Sequence, residues 1–186
     1  MRLFVAVDLP GPIRAALAEQ QKSFRDSLGK AGLGARWVNP AGIHLTLKFL
    51  GHVQDERLNE ISQALARLGG FTPFQVEVKG FGCFPTPNRP RVLWAGLEAP
   101  PDLARLASKV EESMEKLGFE REQREFNPHL TLARFKEPRP LPALRELVEV
   151  RSDVPLGRFE ICDYFLFESK LHPGGAEYRK LAQFPK

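Results

Sequence analysis

The spacing of apolar residues predicts a chain that alternates between strands and helices. Arg2 to Val7 is a nearly continuous apolar run, and residues 74–78 alternate as Phe-x-Val-x-Val. A short unbroken run and a strict alternation are both typical of strands. Further strands are predicted at 36–38, 43–50, 91–97, 129–135, 159–168 and 178–184.

Apolar residues three or four positions apart predict four helices. They cover residues 12–28, 55–68, 102–117 and 143–150. Pro12 suits the first turn of the first helix, and Gly69 and Gly70 end the second. Residues 80–90 are rich in glycine and proline and are predicted to be a loop. His-Pro-Gly-Gly at 172–175 predicts a turn before the last strand.

One four-residue phrase occurs twice among the predicted strands, as His-Leu-Thr-Leu at 44–47 and again at 129–132. Successive side chains of a strand point to opposite faces. Each copy therefore places its histidine and threonine on one face and its two leucines on the other. A single His-x-Thr is typical of any half-buried strand. Two identical copies in a chain with four histidines indicate a paired functional site.

The two copies lie 85 residues apart, close to half the length of the chain. Helices and antiparallel strands accompany each copy. This arrangement predicts an α+β fold made of two similar lobes that are related by an approximate two-fold axis. We expect one bilobal domain over residues 1–186, with one motif in each lobe and a cleft between the lobes.

Two histidines and two threonines that meet across a cleft suit phosphodiester hydrolysis. The attacking and leaving oxygens lie roughly in line across phosphorus, so one imidazole can take a proton from water while the other protonates the leaving oxygen. Histidine can do either near neutral pH. The hydroxyls of Thr46 and Thr131 can donate to the non-bridging oxygens. This scheme requires no metal and no cofactor, and neither motif has a carboxylate that would favour a zinc site.

The residues around the motifs carry a family resemblance. His-Leu-Thr-Leu-Lys-Phe-Leu-Gly at 44–51 and His-Leu-Thr-Leu-Ala-Arg at 129–134 resemble the motifs of the 2H phosphoesterase superfamily. The opening RLFVAVDLP, the strand RVLWAGL at 91–97 and the tail at 166–184 are similar to RNA 2′,3′-cyclic phosphodiesterases, also called 2′-5′ RNA ligases. The resemblance extends over nearly the whole chain.

The resemblance implies that the protein hydrolyses a terminal 2′,3′-cyclic phosphate of RNA to a 2′-phosphomonoester. It also implies reversible 2′-5′ ligation when a 5′-hydroxyl replaces water. It assigns His44 as the proton donor and His129 as the proton acceptor, whereas the residues alone are symmetric and leave the two roles open. A small cyclic or 2′-5′-linked nucleotide is an alternative substrate, and a non-catalytic module that binds RNA ends is an alternative function.

Two basic residues near the motifs are candidates for phosphate binding. Lys48 continues the alternation of His44 and Thr46, so we expect it to face the cleft, although a solvated lysine at a strand end fits equally well. Arg134 matches an arginine of the family. Strict alternation places it on the face opposite His129, so it reaches the cleft only if the strand ends or bulges there.

Two further residues are candidates for binding the rest of the substrate. Phe49 can stack on a base, although most of the 14 phenylalanines of the chain are expected to build cores. Arg91 lies in the family-like strand at 91–97. Trp94, in the same strand, is interpreted as a core residue.

The composition is that of an ordinary globular protein, with 42% hydrophobic and 27% charged residues. A net charge of +4 allows a phosphate ligand but does not indicate a long nucleic-acid groove. No apolar run approaches the roughly 20 residues of a membrane span, and the first residues do not resemble a secretion signal. The two cysteines do not make a disulfide framework. We expect a cytoplasmic monomer whose partner is an RNA end, such as that of a tRNA half or a short oligonucleotide.

Overall fold

The computed structural model describes residues 1–137, 139–173 and 175–185. Gly174 of the turn predicted at 172–175 lies outside these ranges. The helices are α1 (Gly11–Leu28), α2 (Leu58–Ala66), α3 (Pro101–Glu115) and α4 (Pro142–Val150). The strands are β1 (Arg2–Val7), β2 (Ala35–Trp37), β3 (Leu45–His52), β4 (Phe74–Thr86), β5 (Arg89–Glu98), β6 (His129–Phe135), β7 (Pro155–Ile161), β8 (Tyr164–His172) and β9 (Gly175–Phe184).

The strands form one curled antiparallel sheet whose order explains its two-lobed character. The order is β7-β4-β5-β6-β3-β1-β8-β9, and β2 pairs separately with β6. The two motif strands, β3 and β6, are therefore the middle strands. β6 belongs to one half of the sheet, with β5, β4 and β7. β3 belongs to the other half, with β1, β8 and β9. The predicted α+β bilobal fold is confirmed.

The two faces of the sheet are packed differently. In β1, Leu3, Val5 and Val7 point to the face that the helices cover, and they belong to the large core of the protein. Phe4 and Ala6 point to the other face, where they meet Phe165, Phe167 and Tyr178. We call these the helix face and the open face. Because partners in a ladder share a face, β1 shows which face each residue of β3 occupies.

The predicted loop at 80–90 is wrong, because β4 and β5 continue through it as a long hairpin. Glycine in this segment serves close packing of the strands and does not mark a break. A Cβ atom at Gly82 would lie 2.1 Å from the indole of Trp94. Glycine within a strand often marks such a close approach.

The single strand predicted at 159–168 is also wrong. It is two strands, β7 and β8, which are separated at residues 162 and 163. Cys162 in this turn is exposed, whereas Cys83 in β4 is buried, and neither is in a disulfide. No helix within the described ranges is both long and apolar enough to cross a membrane.

Candidate active site

The two motifs meet at a single point in the centre of the sheet. Leu45 of β3 pairs with Leu130 of β6 in antiparallel register, and both leucines are fully buried. In such a pair the flanking residues face each other across the ladder. His44 therefore lies across from Thr131, and Thr46 lies across from His129. All four side chains share the open face, because the leucines between them occupy the helix face.

Each motif strand has a β-bulge directly after its threonine. In the first, Ala6 pairs with Thr46 and Val5 with Lys48, which leaves Leu47 without a partner in β1. In the second, Trp94 pairs with Thr131 and Leu93 with Ala133, which leaves Leu132 without one in β5. A bulge adds one residue to one strand and so reverses the alternation beyond it. The burial patterns of 44–50 and 129–135 are accordingly identical.

The bulges decide which neighbouring side chains reach the open face. Phe49 pairs with Phe4 of β1. Arg134 pairs with Val92 of β5, two residues before Trp94, which pairs with Thr131. Both residues are exposed on the face that carries the histidines. The conditional expectation for Arg134 is thus met by a bulge. Phe49, which is 61% exposed, lies 6.1 Å from the ring of Phe4.

The expectation that Lys48 faces the cleft is wrong. The bulge places it opposite Val5 on the helix face, where it is only 5% exposed. Its ammonium group forms an ion pair with Glu111 of α3 and donates to the carbonyl oxygen of Glu120 at 2.6 Å. Glu111 also accepts from the backbone N–H of Glu122. Lys48 therefore anchors the segment that leads towards the second motif.

His44 is held by a carbonyl and by aromatic rings. Its Nδ1 lies 2.7 Å from the carbonyl oxygen of Gly42. The imidazole stacks on Phe4 at 4.5 Å between centroids and meets the edge of Tyr178 at 5.0 Å. Burial lowers the pKa of His44 to about 4, against the Gly42 hydrogen bond, which raises it. The charges of Arg14 and Arg134 lower this pKa further.

Arg14 of α1 organises the loop that precedes His44. Its guanidinium donates to the carbonyl oxygens of Leu9, Pro40, Ala41 and Ile43, and it forms an ion pair with Asp8. The carbonyl of Gly42, in the middle of this loop, is the one that meets the imidazole. The guanidinium of Arg14 thus fixes the backbone on both sides of the Gly42 carbonyl, which orients His44.

His129 has the same orientation on the other side of the junction. Its Nδ1 lies 2.7 Å from the carbonyl oxygen of Asn127, two residues earlier, as in His44. Phe84 meets its ring edge-on at 4.9 Å, and the ring of Trp94 lies 6.5 Å away. Burial lowers the pKa of His129, the Asn127 hydrogen bond raises it, and the charge of Arg134 lowers it. Arg134 therefore acts on both histidines.

Each histidine has its Nε2 available for chemistry. A neutral imidazole whose Nδ1–H donates to a carbonyl carries its lone pair on Nε2. Within the described residues, no hydrogen bond engages either Nε2 or either threonine hydroxyl. In this geometry Nε2 can accept a proton when the ring is neutral and can donate one when the ring is an imidazolium.

A buried glutamine supports the bulge of the second motif strand. Gln21 of α1 is 2% exposed, and its amide donates to the carbonyl oxygens of Val38 and Leu132 at 2.7 and 3.0 Å. Leu132 is the bulged residue, and its carbonyl oxygen also accepts from the backbone N–H of Val38 at 2.9 Å. The amide therefore ties α1 to β6 and to the residue that follows β2.

Arg91 is not brought to the histidines by any contact between the described residues. It is exposed and lies beside a register shift between β4 and β5, and its predicted role in substrate binding remains a prediction. Across the part of the chain that the structure describes, no three His, Cys, Asp or Glu side chains are grouped so that they could hold a metal ion. The metal-free mechanism also remains a prediction.

Three residues around the site are not marked as site residues by the sequence: Arg14, Gln21 and Tyr178. Gln21 carried a weak signal, because it interrupts the apolar stripe of α1 between Leu17 and Phe24 with a polar group that must find partners. Arg14 had no comparable signal, since its acceptors are backbone carbonyls of a distant loop. Tyr178 belongs to the family-like tail, but its contact with His44 depends on the position of β9.

The chain is similar to known phosphoesterases over nearly its whole length. Residues 7–94 and 97–178 match the LigT like phosphoesterase family. A protein of Archaeoglobus fulgidus named RNA 2′,3′-cyclic phosphodiesterase is 39% identical over 184 residues, which cover 99% of each chain. A crystal structure from Thermus thermophilus has a TM-score of 0.81 at 33% identity, covering 99% of this chain and 97% of that one. The Escherichia coli LigT structure with 3′-AMP has a TM-score of 0.78 at 26% identity, with 98% and 96% covered.

The fold and the paired motifs therefore define a 2H phosphoesterase. Within that class, the chain belongs to the LigT-like phosphoesterase family.

The buried pair of Lys48 and Glu111 gives a prediction about stability. Lys48→Met leaves Glu111 without its cation, and we expect it to lower the free energy of unfolding by about 3 kcal/mol. Lys48→Met combined with Glu111→Leu should recover most of this loss, because no charge is then left unpaired. Urea unfolding measures both. Lys22→Met, at an exposed lysine that pairs with Asp26, is the control. A Lys48→Met protein as stable as this control would contradict the assignment.

The position of Arg134 gives a prediction about the two imidazoles. In the free protein, NMR titration of the histidine ring protons should give a pKa of about 4 for His44 and a pKa below 6.5 for His129. Arg134→Gln removes a positive charge that opposes protonation of both rings, so both pKa values should rise. Arg158→Gln, on β7, should change neither. A response of only one histidine to Arg134→Gln would contradict the shared position.

Proposed function

We propose that the protein hydrolyses the 2′,3′-cyclic phosphodiester end of RNA to a 2′-phosphomonoester by two-histidine acid–base catalysis without a metal. The observation that carries this proposal is the Leu45–Leu130 junction, which brings both His-x-Thr pairs onto one face. The relative from Archaeoglobus fulgidus, which matches nearly the whole chain, bears the name of this activity.

In the proposed reaction His129 acts as the base. Its neutral Nε2 takes a proton from water, and the resulting hydroxide attacks phosphorus opposite the 3′-oxygen. The P–O3′ bond breaks, and the phosphate stays on the 2′-oxygen. The lowered pKa of His129 keeps its ring neutral and ready to accept a proton near neutral pH.

His44 acts as the acid and protonates the departing 3′-oxygen. Its low pKa makes its imidazolium the stronger proton donor once it is charged. A bound cyclic phosphate carries a negative charge, which raises the pKa of a nearby imidazole and so loads His44 with a proton in the complex. The assignment of the two roles follows the family resemblance.

The remaining groups stabilise the charge that develops on the phosphate. The hydroxyls of Thr46 and Thr131 lie across the junction from the histidines and donate to the non-bridging oxygens. Arg134 supplies a cation beside both rings. Phe49, exposed next to Phe4, offers a surface on which the terminal base stacks.

The same site supports 2′-5′ ligation when the 5′-hydroxyl of a second RNA occupies the position of water. Hydrolysis should dominate, because water is abundant and the second RNA end is scarce. We further propose that the protein acts as a cytoplasmic monomer and that RNA ends are its partners.

The decisive test is product analysis with an oligonucleotide that ends in a 2′,3′-cyclic phosphate. The protein should yield a 2′-phosphate end. His44→Asn and His129→Asn should each lower kcat by about 10²-fold to 10⁴-fold, because each removes a proton-transfer group, while Kd for the oligonucleotide changes little. His52→Asn, at an exposed histidine outside the site, should retain the activity.

Activity that survives both substitutions would reject the catalytic proposal and leave a module that binds RNA ends. The metal-free mechanism has its own test. EDTA should leave the rate unchanged, and a loss of rate that added divalent cation restores would contradict it.

A further inference from the structure

A cavity borders His44 on the side away from the junction. Its volume is about 390 Å³, and its walls include Asp8, Arg14, Tyr178, Lys180 and the imidazole of His44 itself. Among the described residues that line it, His44 is the only one of the four motif histidines and threonines. We call it the β9 pocket, because strand β9 supplies one wall through Tyr178, Arg179 and Lys180.

The charges of the β9 pocket favour an anion. The residues that line it carry three cations, Arg14, Arg179 and Lys180, and one carboxylate, that of Asp8. Arg179 pairs with Glu168, which pairs with Leu3, so it lies on the helix face and engages Glu168 there through both Nε and a terminal nitrogen. Arg14 is held by Asp8 and by four backbone carbonyl oxygens. These two cations are therefore committed to the protein.

Lys180 pairs with Phe167 on the open face, the face that carries His44, and it has donors to spare. Its ammonium group lies 2.5 Å from Asp8 and 4.0 Å from the centre of the Phe165 ring. An ammonium group has three N–H donors, and Asp8 accepts from one of them. The group is held in place at the wall of the cavity and can still donate to a ligand.

The proposed chemistry fixes the side on which the RNA lies. His44 protonates the 3′-oxygen that departs, and this oxygen belongs to the ribose of the terminal nucleotide. That ribose must therefore lie on the His44 side of the phosphorus, with water on the His129 side. The 5′-oxygen of the same ribose leads to the next phosphate of the chain, which is then also on the His44 side.

We infer that the β9 pocket binds the phosphate on the 5′-oxygen of the terminal nucleotide, with Lys180 as its main cation. This inference rests on the proposed function and deepens it. The pocket would make the enzyme prefer a nucleotide that is continued or phosphorylated at its 5′ side over a bare nucleoside 2′,3′-cyclic phosphate. Tyr178 and Phe167 supply the apolar wall beside the ribose.

The test compares adenosine 2′,3′-cyclic phosphate with and without a 5′-phosphate. Wild-type protein should show the higher kcat/KM for the 5′-phosphorylated substrate. Lys180→Gln should lower the ratio of the two kcat/KM values by about tenfold, the scale of one charge-assisted hydrogen bond. Lys180→Arg should keep most of the ratio, because it retains the charge. Lys22→Gln is the control, since Lys22 also pairs with an aspartate but lies far along α1.

The outcomes separate this inference from the proposed function. Turnover of both substrates with equal kcat/KM in the wild type, or an unchanged ratio in Lys180→Gln, would overturn the β9 pocket as a phosphate site and leave the activity intact. Absence of turnover on either substrate by the wild type would overturn the proposed function and this inference with it.

Discussion

The site depends on one contact between two strands, the antiparallel pairing of Leu45 with Leu130. Each strand belongs to a different half of the sheet, and this pair is where the halves join. The leucines are fully buried, so their packing in the helix-covered core holds the register. A slip of one residue would turn one histidine towards that core. Packing in the hydrophobic core thus fixes the positions of the histidines and threonines on the opposite face.

The two halves repeat their backbone and differ in the side chains that it presents. Both motif strands bulge after the threonine, and both histidines bond the carbonyl two residues earlier. The bulge presents Phe49 in one half and Arg134 in the other. A pseudo-symmetric frame therefore presents an aromatic side chain in one half and a cation in the other, which suits the asymmetric substrate that we propose. Similarly, Arg14 orders the loop before His44 and Lys48 anchors the segment before His129.

The sequence allowed the elements and the paired motifs to be predicted, because alternation and helical spacing are local signals. It could not show the bulges, which depend on how a strand meets its neighbour. For this reason strict alternation places Lys48 on the wrong face, and it places Arg134 on the open face only if the strand bulges. The hairpin at 80–90 is not predicted from the sequence, because its glycines look like loop residues although Gly82 allows close packing against Trp94. The role of Arg14 cannot be predicted from the sequence, because most of its acceptors are backbone carbonyls distant in sequence.

A transition-state mimic would show whether both imidazoles flank one phosphorus atom. A crystal structure of the protein with a nucleoside 2′,3′-cyclic vanadate would show a trigonal bipyramid with two apical oxygens. We expect Nε2 of His44 and Nε2 of His129 each to lie within about 3 Å of a different apical oxygen. Vanadate bound with either imidazole turned away, or with both on the same oxygen, would contradict it.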